Sequence, residues 1–121
     1  MKAAKIFMVR SGGIRVKVRL LPTAPDVHRE YQRTTPRCVN GGKICGFFVA
    51  NRGPALKYSG TIVLPLQGKL TEWVPHEVTH AVIHALGGVL PKDDEDACYA
   101  IGRISAQIIR RIEEIRRRRE Q

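Results

Sequence analysis

The sequence predicts an α+β fold in a single domain: a small, mostly antiparallel sheet packed on one mid-chain helix and one long C-terminal helix. Three observations carry that prediction. Ile14-Arg15-Val16-Lys17-Val18-Arg19-Leu20 alternates strictly between apolar and cationic residues, the period of a half-buried strand. Val78, Ala81, Val82, Ala85 and Leu86 recur at the three- and four-residue spacing of an amphipathic helix. Ala97, Ile101, Ile104, Ile108, Ile112 and Ile115 continue that helical period over about five turns.

The chain falls into segments in order. Residues 1–70 read mainly as strands with one short helix. Lys5 to Arg10 reads as a strand, Ser11-Gly12-Gly13 as a turn, and that strand with the alternating run after it as a hairpin. Pro22-Thr23-Ala24-Pro25 breaks the pattern, and Asp26 to Arg33 reads as a short helix carrying Val27 and Tyr31 inward. Asn40-Gly41-Gly42 signals a tight turn, and Ile44 to Ala50 a buried strand. Leu56 to Tyr58 and Thr61 to Leu66 read as two strands joined at Ser59-Gly60. Pro65 has no N–H to give a ladder, which predicts that the last strand is an edge. Residues 71–88 form the mid-chain helix. Thr71 is the candidate N-cap, Pro75 is suited to the first position of the regular helix, and Gly87-Gly88 end it. Residues 93–117 form the second helix, capped by Asp93, with its apolar stripe expected in the core. Arg116, Arg117, Arg118 and Arg119 open a basic tail, 116–121, expected to fray, stay solvated or bind an acidic surface.

At 121 residues and 43% hydrophobic content the chain is of one-domain size, with enough apolar matter for a modest core. No apolar run approaches the roughly 20 residues that span a bilayer. Ile6-Phe7-Met8-Val9 is too short for a secretory signal, so a cytoplasmic location and no membrane partner are expected. Cys38, Cys45 and Cys98 cannot all pair, and the first two fit no common zinc spacing; buried or reduced thiols are expected.

The chemistry centres on His76-Glu77-Val78-Thr79-His80, an H-E-x-x-H run inside the first helical pattern. Residues four apart stand one above the other on a helix, so two imidazoles can grip one ion. Glu77, beside them, can reach a water on that ion without being well aimed to ligate. A catalytic zinc takes three protein ligands and a water. The third ligand expected is Glu95, in the first turn of the following helix, with Asp94 or Asp96 as alternatives. His84 extends the same helical row but lies too far along the axis to ligate. It and Tyr99, Tyr31 or Arg103 are candidates to steady an oxyanion. Bracing a ligand is the alternative role for Tyr99, and for Asp94.

His76, Glu77 and His80 with a downstream Glu95 on its own helix resemble the gluzincin branch of zinc metallopeptidases. The spacing of Glu95, Tyr99 and Gly102 also resembles small phage and prophage proteins carrying the same motif. The resemblance covers roughly residues 60–104. It implies a minimal zincin-like fold without the second subdomain of the full-size family, one zinc ion (Zn2+), and an edge strand lining a cleft above it. It implies hydrolysis of peptides or unfolded protein, with Glu77 as the catalytic base.

Charge is distributed unevenly. Residues 1–70 carry 13 Lys and Arg against two acids, 71–99 carry one against six, and 100–121 carry seven against three. The single acidic zone holds the motif and would attract a cation. The basic remainder admits weak binding to nucleic acid or another acidic surface. Two other functional classes remain open: a zinc-bound but catalytically idle regulatory or interaction module, and a basic nucleic-acid-binding protein in which the motif is incidental.

Overall fold

The alternating run pairs first. β1 (Lys5–Ser11) and β2 (Ile14–Leu21) form an antiparallel hairpin, with Val9 opposite Val16 and Phe7 opposite Val18. This computed structural model describes residues 5–34, 46–51, 58–88, 92 and 94–119. Within them the order continues as α1 (Ala24–Thr34), β3 (Phe47–Ala50), β4 (Gly60–Pro65), α2 (Leu70–Ala85) and α3 (Glu95–Arg119). The turn at residues 40–42, Cys38 and Cys45, and Leu56 of the expected strand lie outside the described residues.

The four strands form one mixed sheet in the order β1-β2-β4-β3, with β2 parallel to β4 and the other two pairings antiparallel. One face of the sheet carries Val9, Val16, Val18, Leu20, Ile62 and Leu64. It packs against Val74, Val78, Ala81 and Val82 of α2 and Ile104, Ile108 and Ile112 of α3. The apolar stripe of α3 is therefore core, as its period implies. A smaller cluster on the other face joins Leu21, Val27, Phe47 and Val63, with Tyr31 of α1 packed against it.

The expected edge at Thr61–Leu66 is corrected. β4 is an inner strand, and β3 and β1 are the edges. Leu66 N–H donates to Leu21 O at 2.8 Å, so by the alternation of a strand Pro65 faces away from β2. It then lies beyond the last described pairing with β3, Phe47 with Val63. Its missing N–H therefore leaves the described ladder between β2 and β4 unbroken.

Local chemistry bounds some helix ends and tertiary contacts bound others. Thr23 and Asp26 form a reciprocal cap on α1. The Thr23 hydroxyl donates to Asp26 Oδ2 at 2.7 Å, and Asp26 N–H donates back to that hydroxyl at 3.3 Å. α2 starts one residue before Thr71, at Leu70, and Lys69 at its N-cap makes no side-chain cap. Pro75 lies inside the helix rather than at its start. Tertiary contacts override the local signals: Leu70 is buried, and Arg116 donates to Leu66 O at 2.6 Å and Gly68 O at 3.0 Å, holding the turn that launches α2. Arg116 is thus anchored, and Arg117, Arg118 and Arg119 extend α3 as an exposed last turn rather than a frayed tail. At the other end of α2, Gly88 N–H donates to Ile83 O at 2.9 Å and Gly87 N–H to His84 O at 3.1 Å. Both glycines have positive φ, 94° and 91°, the left-handed geometry of a Schellman stop. Asp94, just before α3, accepts the first turn's bond from Cys98 N–H at 2.8 Å. Asp93, the expected cap, lies outside the described residues. Cys98 is a free thiol on the surface, not a buried one.

Glu30 ties α1 to the sheet. It is buried, pairs with Arg33 one turn on, and reaches Arg19 of β2 at 3.2 Å. The Arg33 guanidinium hydrogen-bonded to it holds its carboxyl below the usual Glu range, against the opposing effect of burial, with Arg19 adding to the lowering. A carboxyl depressed in the folded state stabilises the fold above its unfolded-state pKa, and that contribution fades as pH falls through the folded value. Glu30→Gln should therefore lose about 1 kcal/mol at neutral pH and show a shallower stability decline on acidification, read by urea unfolding across pH.

Candidate metal centre

α2 carries two chemically different stripes. Leu70, Val74, Val78, Ala81 and Val82 bury one side. His76, His80 and His84 run along the other, all exposed. At about 100° per residue, Glu77 stands on the boundary between them, about 60° from His80. That position explains why it is buried, at 7% exposure, while its histidine neighbours are not. Thr79 within the motif turns its hydroxyl back to Pro75 O at 2.7 Å, so it takes no part in the polar row.

The rings of His76 and His80 stand 4.9 Å apart, edge to face, and His76 Nε2 lies 3.9 Å from Glu77 Oε2. One donor atom from each of His76, Glu77 and His80 lies within 4.8 Å of the others. Donors in a tetrahedral zinc shell are about 3.4 Å apart, given bonds of about 2.1 Å. The two exposed rings can close that difference by rotation. The donor set, two imidazole nitrogens and a carboxylate oxygen, has the borderline hardness zinc takes. Burial pushes the Glu77 carboxyl above its ordinary range, and His76 pulls it partly back. A carboxylate in such a place is stabilised by a bound cation. The residues fit a divalent metal ion.

The group opens onto a cleft of ≈ 610 Å³. α2 forms its floor, and Gly46 with Phe47, Phe48 and Ala50 of the edge strand β3 forms its wall, with Tyr31 of α1 at one side. Gly46 makes a close approach to both elements: a Cβ there would meet Leu64 Cδ2 at 3.0 Å and Glu77 Cγ at 3.4 Å. Strand alternation places the backbone groups of Phe47 and Val49 toward β4, since Asn51 N–H in the same series donates to Ser59 O at 2.9 Å. The N–H and C=O of Phe48 and Ala50 therefore face outward over the cleft. His84 is held at this wall, its Nε2 3.3 Å from Asn51 O and its ring 5.9 Å from that of Phe48.

No protein-family model, curated protein or solved structure matches the chain.

The sequence-derived candidates separate in space. His76, Glu77 and His80 come together, and His84 and Tyr31 line the same cleft. Glu95 is the exposed first residue of α3, and it is not in the three-residue donor group. Asp94 and Asp96 are exposed beside it. Tyr99 is 64% exposed and lies under the Arg103 guanidinium at 5.2 Å, and neither lines the cleft. Gly46, Phe47, Phe48 and Ala50 were not among the sequence candidates. A short apolar run with a preceding glycine signals a strand, but which sheet edge it occupies is absent from its local pattern. If the donor group holds a metal ion, the wild-type chain should gain thermal stability with added zinc, by about 2.7 kcal/mol at a hundredfold excess over Kd. The double variant His76→Ala/His80→Ala should show neither that gain nor bound metal by elemental analysis.

Proposed function

We propose that this chain is a zinc-dependent peptidase of the gluzincin type, hydrolysing peptide bonds in peptides or unfolded protein. The observation that supports this reading is the meeting of His76, Glu77 and His80 donors beside β3, an edge strand among the described residues. A zinc ion held by His76 and His80 would supply Lewis acidity and an acidified water. Glu95, the first residue of α3, is the proposed third ligand, and in this reading its side chain must swing in from its exposed position.

The chain's own residues have distinct tasks in this reading. Phe48 and Ala50 offer outward backbone N–H and C=O groups, to which an extended peptide adds as a further strand. Strand addition fixes the peptide along the cleft wall, with its backbone running past the histidine row. Glu77, screened from bulk water by its burial, accepts a proton from the attacking water and delivers it to the leaving amine. His84 lines the same cleft, and in this reading its Nε2–H leaves Asn51 O and turns to the developing oxyanion.

One observation favours a second reading. Glu95 stands outside the donor group while Glu77 stands within it. If Glu77 is itself a ligand, the centre has no free base, and the chain is a metal-bound but catalytically idle module. Glu77→Gln separates the two. The peptidase reading expects zinc retained and kcat/KM on an unfolded protein substrate lowered about 10²–10⁴-fold. The idle-module reading expects zinc itself to be lost and no cleavage by the parent chain. Elemental analysis of Glu95→Ala tests the third ligand: zinc stoichiometry should fall sharply, and full retention would transfer that role to another donor.

A further inference from the structure

The end of the sheet remote from the cleft has its own chemistry. Residues 5–25 contain no Asp or Glu, and the β1–β2 hairpin carries Lys5, Arg10, Arg15, Lys17 and Arg19. Arg10 lies directly opposite Arg15, next to the Gly12–Gly13 tip. The Gln107 side chain bonds both backbone groups of Arg10, accepting from its N–H at 3.1 Å and donating to its C=O at 2.7 Å. The backbone of Arg10 is thereby turned to α3, so the Arg10–Arg15 pair exchanges no ladder bonds. Side chains in such a pair stand closest, and like charges there are destabilising. Among the described residues neither guanidinium has an acidic partner.

Around this pair the surface is concave. Met8, Val9, Arg10, Arg15 and Gln107 line a hollow of ≈ 400 Å³. Lys17, paired across from Met8, extends the cationic row with its ammonium 5.8 Å from the Tyr58 ring. Arg19 is already committed to Glu30. Among the described residues a Cβ at Gly12 or Gly13 would meet no atom within 4 Å. The two arginines stand astride this turn.

We propose that this hairpin tip is a docking surface for duplex DNA, held through its phosphates by Arg10, Arg15 and Lys17 without sequence readout. The Arg10–Arg15 pair lies beyond the described β2–β4 register, which begins at Lys17, and cations on the two facing strands meet neighbouring phosphates along a duplex backbone. Single strands fit less well. The Tyr58 ring beside this row is already covered by Lys17, and Phe47 on the same face of the sheet is buried, so stacked bases find no platform here. The net charge of +10 draws the duplex in, and the unopposed arginine pair is the place where phosphate relieves a repulsion. The surface lies at the β1 edge and the cleft at the β3 edge, so both can be engaged together.

The test is fluorescence anisotropy of a short random-sequence duplex with the whole chain, titrated between about 50 and about 200 mM salt. Wild-type binding should weaken with salt and be unchanged by a chelator, which keeps this result separate from the fate of the peptidase reading. Arg10→Gln/Arg15→Gln/Lys17→Gln should weaken binding and flatten the log–log salt slope by about 2.7, roughly 0.9 for each phosphate no longer neutralised. Its far-UV circular dichroism and Tm should match wild type. Arg110→Gln/Arg117→Gln/Arg118→Gln removes the same charge from α3 and should change the slope by less than about one. Equal effects in both triple variants would reduce the binding to overall charge and overturn the site. No duplex binding, or tighter binding of phosphatidylserine vesicles or polyglutamate at the same salt, would overturn the choice of DNA.

Discussion

Everything at the candidate centre follows from α2 having one side to bury. The helix lies between β4 and α3 and commits Val74, Val78, Ala81 and Val82 to the core without exposed area to spare. Once that stripe is inward, helical geometry places His76, His80 and His84 on the opposite side and Glu77 at the seam. The burial of one carboxylate next to two exposed imidazoles is thus a packing consequence. Burying the apolar stripe elsewhere would expose the carboxylate or hide the rings.

The sheet distributes its two edges unequally. β1 carries the side-chain amide of Gln107 on its outer backbone groups at Arg10, which blunts that edge against further strands. β3, four residues long, keeps the backbone groups of Phe48 and Ala50 turned outward above the histidine row. The strand with outward-turned backbone groups is therefore on the histidine side of the molecule. The cationic hairpin is on the other side. The parallel β2–β4 pairing makes this arrangement, because it moves β4 inward and leaves β3 outermost.

Local patterns in the chain made much of this legible. Strict alternation located β2, three- and four-residue spacing located α2 and the stripe of α3, and Gly87-Gly88 marked the stop that the Schellman bonds then produce. The His76–His80 pair was legible for the same reason: i, i+4 residues share a face in any α-helix, whatever surrounds it. The misread features all depend on distant partners. Thr71 offers a hydroxyl for a cap, but Leu70 burial and the Arg116 bonds to Leu66 and Gly68 start the helix earlier. Pro65 carries a genuine disability as a strand residue, yet where that disability falls depends on which neighbour stops short. Tyr99 and Arg103 look serviceable on paper, and instead they face solvent together.

By itself, then, the sequence determined the class of each element, the faces that would be buried, and the presence of two imidazoles one helical turn apart with a carboxylate between them. These are short-range properties, set by backbone periodicity and side-chain chemistry within a few residues. Only the tertiary structure decided the strand order, which edge overlooks the histidines, the burial of Glu77, and the standing of Glu95 outside the donor group. Those depend on contacts between residues far apart in the chain, such as Gly46 against Glu77 and Arg116 against Leu66. Such contacts are selected by how whole hydrophobic faces fit one another, and no local window of sequence encodes that fit.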